Sequence, residues 1–409
     1  MNEGLTMKKT TDPRRRRLLA TLLAGSALQP WSSLSFAAGA GDGAGDRSGV
    51  NRLVLVILRG GLDGLSAAPA VGDPQFSAAR GPLAEFAAPA LPLDASFALH
   101  PSLAQLHAMF ANGELAVVHA VRLPYQERSH FDAQQVLESG GQKPFELSTG
   151  WLARAQAAGA AKAMALSTAV PLVLRGPGSV DTWAPSTLPE PSADLVARIE
   201  RLYEGDPALA TALARAKALH FGAEMPNDMA GVMNAGSNTF TALAQRAAEF
   251  LALPDGPQVA VLELGGWDTH ANQSSPDGAL ANNLRRLDAG LAALRDGLSG
   301  SGTWKRTVVV VASEFGREVA INGTRGTDHG SGGVAFVLGG AVHGGRVLAN
   351  WPGLAKKDRF EGRDLRTTTD LRAVFKGVLA DHLRVAQAQL NGPVFPGSEG
   401  VKGLALLRG

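Results

Sequence analysis

The chain has no cysteine among its 409 residues, which excludes disulfides, thiolate zinc sites and cysteine nucleophiles together. Tyrosine occurs only twice, leaving little material for an aromatic-lined groove that would take carbohydrate or single-stranded nucleic acid. The formal net charge is only +2, so no global field draws the protein to nucleic acid or to a membrane surface. Past the N-terminus, no apolar run reaches the ~20 residues a membrane-spanning helix needs. There is no internal repeat. The first strand candidate is not followed by G-x-G-x-x-G, so a dinucleotide site has no support.

What is present begins with an address. Arg14–Arg17 precede LLATLLAGSAL, and an Ala/Ser-rich stretch with Phe36-Ala37-Ala38 follows. A charged segment, a short apolar segment and a small-residue cleavage zone make a secretory signal, and the arginine pair before Leu18-Leu19 points to twin-arginine export. The expectation is a signal peptide over 1–40, a Gly/Asp-rich linker over 41–50 and a mature protein in the periplasm or outside the cell, with the export machinery as a partner. With 45% hydrophobic residues, the remainder can bury a sizeable core. A single α/β domain over about 51–400 fits its length.

Short apolar runs bounded by glycine suit buried parallel strands. LVLVIL (53–58) is the first, read as central, and Arg59-Gly60-Gly61-Leu62-Asp63-Gly64 follows it. A helix from PSLAQLHAMFANGE, the strand LAVVHA, and the short runs AMALS and PLVL come next. His100, His107 and His119 fall in or beside these elements as packing or hydrogen-bonded groups. From about 186 to 253, alanine-rich helical periods predict a helical insertion or cap over the site, with Met225, Met229 and Met233 as packing filler. Near the C-terminus, DLRAVFKGVLADHL predicts a helix capped by Thr369 or Asp370.

Residues 258–345 carry the densest chemistry. QVAVLELGGWDTH ends in Asp268 and His270; TVVVVASEFGR ends in Ser313, Glu314 and Arg317; Asp328 and His329 precede VAFVLGG. Ligands of open α/β sheets collect at the carboxyl ends of strands. Carboxylates and imidazoles together there suit a divalent metal, zinc or manganese, with magnesium or calcium admitted by an all-oxygen subset. Asp63 joins the metal candidates, although Asp beside glycine is more often a helix cap. Ser129 and Asp132 have the S-x-x-D spacing of a helix start. That same place offers N–H groups and a positive dipole end to an anion, with Arg128 as a fork for its oxygens.

LRGGLDGL, RSHFDAQ, TGWLAR, ELGGWDTHANQ, SEFGRE, NGTRGTDHG, GGAVHGGRV and TTDLRAVF together resemble one family. It comprises exported proteins with twin-arginine signals, placed beside the sulfatases in the alkaline phosphatase superfamily. The resemblance runs from about residue 50 to 397. It implies an alkaline phosphatase/sulfatase-like sandwich around a mostly parallel sheet, a binuclear metal centre and a serine, threonine or formylglycine nucleophile. Residue by residue, Asp63 resembles the carboxylate after the first strand, and Ser129 sits where the nucleophile precedes its helix. Asp268 and His270 resemble the Asp/His pair of one metal site. Glu314 falls where an Asp-His pair is usual. Asp328-His329 resembles either the late histidine or that pair itself. The chain departs from the pattern in its D-x-H spacing, in SEFGR, and in having no cysteine to mature into formylglycine.

Two functions follow. The first is metal-dependent hydrolysis of a small phosphate or sulfate ester, with Ser129 catalytic and Arg128, Arg317 or Arg59 orienting the ester oxygens. The alternative is an exported binding or assembly protein that keeps the fold without turnover.

Overall fold

Six consecutive apolar residues suit a strand covered on both faces, and Leu53–Leu58 form the body of β1 (Arg52–Arg59), wholly buried at those positions. Its side chains alternate between two cores. Val54, Val56 and Leu58 enter one, and Leu53, Leu55 and Ile57 enter the other. The structure is a computed structural model and describes residues 49–157, 162–185, 191–221, 239–273 and 278–409, all within one compact unit. The expected signal segment, most of the linker, and Met225, Met229 and Met233 lie outside the described residues.

Two strands, β2 (Leu91–Pro92) and β3 (Ala98–Leu99), make a separate antiparallel ribbon. The main sheet adds β4 (Leu115–Arg122), β5 (Lys162–Ala165), β6 (Ser179–Thr182), β7 (Val259–Gly265), β8 (Thr307–Ser313), β9 (Gly333–Leu338), β10 (Arg346–Leu348) and β11 (Thr369–Asp370). Their order is β10-β4-β9-β8-β1-β7-β5-β6, with β11 beside β4. The pairings of β1 with β7 and β8 are parallel, and β9 runs antiparallel to both β4 and β8. VAFVLGG is therefore not the parallel strand expected of it. The chain between β8 and β9 turns back at the same sheet edge without a crossover helix, and such a return can only be antiparallel.

Helices cover both faces. One core holds α3 (Ala104–Ala111), α8 (Thr239–Ala252) and α9 (Ala279–Gly300); the other holds α4 (His130–Ser139), α5 (Trp151–Ala157) and α10 (Leu371–Asp381). Short helices α1 (Gly64–Ala67) and α2 (Phe76–Arg80) follow β1. Asp370 caps α10, its carboxylate accepting from the Arg372 N–H at 2.9 Å. The structure is thus a three-layer α/β fold with a large, mostly parallel central sheet.

Two expectations change. PLVL is not a strand: Leu172–Leu174 is a 3-10 turn closed by the Leu174 N–H on the Pro171 carbonyl, next to a proline that has no ladder donor to give. Helix α8 is core rather than insertion, because Phe240, Ala244, Ala247, Phe250 and Leu251 pack into the sheet. Among the described residues, α6 (Ala193–Tyr203) and α7 (Pro207–Phe221) remain as the insertion, and α6 buries no side chain. Arg215 of α7 donates to Ser179 and Asp181 on edge strand β6.

Candidate metal centre

Register brings the chemistry together. Leu58 pairs with Leu264 on one side and Ser313 on the other, so β1, β7 and β8 end level. Their following residues leave the sheet side by side, joined by the loop before β9. Glycine is needed for this crowding: Gly60 has φ +122°, and a Cβ there would lie 2.6 Å from the Asp268 nitrogen. Arg317, fully buried, ties the loops together. Its guanidinium donates to the carbonyls of Gly60, Gly61, Trp267 and Thr327 and to the Asp268 carboxylate.

Three imidazoles surround one carboxylate oxygen. Asp268 Oδ1 lies 2.9 Å from His270 Nε2, 3.1 Å from His329 Nε2 and 3.4 Å from His130 Nε2. His329 Nε2 is also 3.0 Å from the Nε2 atoms of both His130 and His270. The donor atoms of His130, Asp268 and His329 all fall within 4.8 Å of one another, a group able to hold a metal ion.

The far nitrogens decide what this arrangement is for. His130 Nδ1 meets Glu314 Oε1 at 2.8 Å, His270 Nδ1 meets Asp328 Oδ1 at 3.1 Å, and His329 Nδ1 meets the Arg128 carbonyl at 2.8 Å. A carboxylate and a carbonyl can only accept, which assigns the proton of each neutral ring to Nδ1. Three bare Nε2 lone pairs then face one another and a fourth acceptor. Such a set is stable only around a proton or a cation. The outer partners are those that fix ligand tautomers in metal sites.

Electrostatics agree with that reading. Burial alone would raise the Asp268 pKa, but the Arg317 hydrogen bond and charge, with His270 and His130, bring it down to about 2. Glu314 is also held below the ordinary carboxylate range: burial acts upward and is outweighed by bonds from His130, Gln134 and Gly60. The Asn322 bond, with His270, lowers Asp328 against a smaller effect of burial. His130 is pushed up, chiefly by its bond to Glu314, whereas burial and the charges of His130 and Arg317 push His329 down.

The expected candidates divide into inner and outer groups. Asp268, His270 and His329 are brought together. Glu314 and Asp328 are adjacent but stand behind the imidazoles. Both Glu314 oxygens are taken, by Gly60, His130 and Gln134 on one side and by the Ser313 hydroxyl on the other, so it orients His130 instead of ligating. Asp63 is elsewhere. It is 1% exposed, caps α1, and is spent on Arg80, Ser66 and Gln273, which is the cap role its glycine neighbours allow. Arg317 orients Asp268 and the loops, with no donor turned outward to an ester. Arg128 pairs with Asp364 at 2.9 Å and Glu361 at 2.7 Å. Ser129 occupies the N-cap of α4 without making a side-chain capping bond, and Asp132 accepts from the Tyr125 hydroxyl instead of closing a box.

The family model described as "Protein of unknown function (DUF1501)" matches residues 50–392. The chain belongs to that family. No curated protein matches this DUF1501 chain. Among solved structures it is similar to a sulfatase from Pseudoalteromonas sp. at 12% identity and TM-score 0.40, covering 96% of this chain and 75% of that one. It is similar to a 2-O GAG sulfatase at 11% identity and TM-score 0.44, covering 87% and 73%. It is also similar to the phosphonate monoester hydrolase of Agrobacterium radiobacter at 12% identity and TM-score 0.40, covering 82% and 74%. No residue role in the DUF1501 chain follows from these distant likenesses.

Sequence reasoning passed over His130, although RSHFDAQ contains it. The available signal was helical spacing: His130, Gln134 and Glu138 recur every four residues on α4, one polar stripe on an otherwise half-buried helix. Asp364 was also missed. Its buried Oδ2 accepts from Arg128 Nε at 3.0 Å and the Ser331 hydroxyl at 2.8 Å. It therefore fixes the segments beside His130 and His329. Exchanging Asp364→Asn in the DUF1501 chain is expected to weaken metal binding by about 10- to 100-fold, the usual effect of a supporting group. Competition against a chelator dye checks this, with circular dichroism showing the fold retained.

Proposed function

We propose that the protein is an exported, metal-dependent hydrolase of phosphate or sulfate esters. One observation carries the reading: three imidazoles with outward-held Nδ1 protons converge through Nε2 on Asp268. Two nitrogens bound to one zinc at ~2.1 Å and near-tetrahedral angles sit roughly 3.4 Å apart, close to the spacings here. His130, Asp268 and His329 would hold the ion, and His270 stands within reach as a fourth ligand. An imidazole and carboxylate set suits zinc or manganese. When bound, such an ion polarises an ester oxygen and offsets the charge that develops on it.

The chain's own groups do the rest. Glu314, Asp328 and the Arg128 carbonyl keep the imidazoles aimed, and Arg317 holds Asp268 ionised. Ser129, the residue before His130, supplies the nucleophilic hydroxyl at the start of α4, where backbone N–H groups favour an anion. The Arg14–Arg17 signal directs export by the twin-arginine route to the periplasm or beyond. No helix among the described residues is long and apolar enough to cross a membrane.

The test is a screen of aryl sulfates, phosphodiesters and phosphate monoesters with the zinc- or manganese-loaded protein. Ser129→Ala is expected to lower kcat by about three orders of magnitude or more with metal content unchanged. Full turnover in that variant would remove Ser129 from the mechanism and leave a metal-activated water.

A second reading has one observation in its favour. Arg59 pairs with Glu138 and Glu263, Arg128 with Asp364 and Glu361, and Arg317 with Asp268, so each arginine expected to orient ester oxygens is already neutralised. A metal-holding protein without turnover would show stoichiometric metal and no hydrolysis across the screen.

A further inference from the structure

Beside the Asp63 cluster lies a cavity of about 420 Å³, the size of pocket that takes a small organic ligand. Ser66 and Gln273 of that cluster form part of its wall. Among the described lining residues are none of those that ligate or orient in the metal centre.

The lining divides by chemistry. Leu83, Phe86, Leu280 and Ala281 are apolar, and all but Phe86 are at most 4% exposed. His100, Ser102 and Arg285 bring donors. The Phe86 and His100 rings meet edge-on with centroids 5.2 Å apart, which sets the apolar surface directly against those donors.

The state of His100 is fixed by its neighbours. The Ser102 N–H donates to His100 Nδ1 at 3.0 Å, so the proton of the neutral ring sits on Nε2. Burial first, and then the Arg285 charge, push its pKa down to about 4 against a smaller effect of Asp63. The ring is therefore neutral at pH 7, and among the described residues no acceptor takes its Nε2–H.

The charge at this wall is positive. Arg285 donates to the Asn282 side chain at 2.6 Å, and its charge reaches His100. Both residues follow the start of α9, whose first turn holds Leu280 and Ala281. The positive end of that 22-residue helix thus falls at the same wall. Glu85 also lines the cavity, but it is exposed, and the charges felt at His100 are those of Arg285 and Asp63.

We propose that this cavity is a binding site for a small aryl carboxylate, separate from the metal centre. The carboxylate accepts from His100 Nε2 near Arg285, and the ring packs on Phe86, Leu83 and Leu280. This goes beyond the hydrolase reading and does not depend on it.

The experiment titrates phenylacetate and phenylacetamide into the metal-stripped full chain by calorimetry, so that no carboxylate can bind through a cation. Phenylacetate is expected to saturate one site, with phenylacetamide about tenfold weaker, the margin of a charge-assisted hydrogen bond over a neutral one. His100→Phe keeps a ring against Phe86 and removes the donor, and should bring the two affinities to within about twofold. Arg285→Gln removes the charge at an exposed position where the fold tolerates it, and should lower the preference in the same direction. Binding of phenylacetate should be unchanged in His329→Ala. No saturation by phenylacetate, equal affinities in wild type, or a preference untouched in Arg285→Gln and in folded His100→Phe overturns the site. Binding abolished in His329→Ala also overturns it, because the carboxylate then sits among the imidazoles of the metal centre.

Discussion

Replacing Asp63 by alanine is expected to lower stability at neutral pH by about 3–5 kcal/mol, the cost of stranding a buried charge. The stranded group is Arg80, 0% exposed, whose Nε already has no partner. Its remaining bonds go to the Ser66 hydroxyl and the carbonyls of Glu318 and Val319, none of them anionic. The pH dependence has a definite sign. Burial alone would raise the Asp63 pKa, but the charge and hydrogen bond of Arg80 outweigh it, so the folded value lies below the ordinary one. A depressed folded pKa stabilises above the unfolded carboxylate value of about 3.9 and is lost as pH falls through the folded value. Denaturant midpoints at pH 7 and in the acid range check both parts. Metal content should be unchanged in Asp63→Ala; its loss would return Asp63 to the ligand set.

The second large effect is expected at His329. His329→Ala should weaken metal binding by more than the ~10–100-fold of supporting residues, because its Nε2 touches every other inner atom of the cluster. Stability should move oppositely in the two metal states. Bound metal at a hundred times its Kd stabilises wild type by about 2.7 kcal/mol, and the variant loses that increment. Stripped of metal, the variant should be as stable as stripped wild type or more so, since one of the facing acceptors is gone. Thermal melts with and without chelator separate the outcomes. Equal destabilisation of both forms would mean that His329 is a packing residue.

The sheet was largely legible because burial on two faces leaves its mark in composition. LVLVIL is an unbroken apolar run, VAVLEL is broken only by Glu263 and TVVVVA only by its leading Thr307, and the residues after each carry the reactive groups. Direction was not legible: nothing within VAFVLGG distinguishes a parallel from an antiparallel strand, and the short return after β8 decides it. Likewise α8 shares an alanine-rich composition with α6 and α7, and its place in the core, where Phe240 and Phe250 lodge with Ala244, Ala247 and Leu251, sets it apart.

At the site, residue type was legible and rank was not. Glu314 and Asp328 are as fit to bind a metal as Asp268, and their places behind His130 and His270 follow from loop geometry alone. His130 comes from a helix start far along the chain from the other imidazoles, so linear proximity could not group them. Arg128 and Arg317 looked free because their carboxylate and carbonyl partners lie far away in sequence. Asp63 shows the reverse: the modest expectation of a cap beside glycine describes where it sits.

The most direct test of the metal centre is anomalous diffraction from crystals of the mature protein grown with zinc, recorded at the zinc edge. A single strong peak is expected about 2.0–2.2 Å from His130 Nε2, His329 Nε2 and an Asp268 oxygen. Crystals with no peak there, with the imidazoles still in mutual contact, would contradict the account and leave a proton network where a metal centre is claimed.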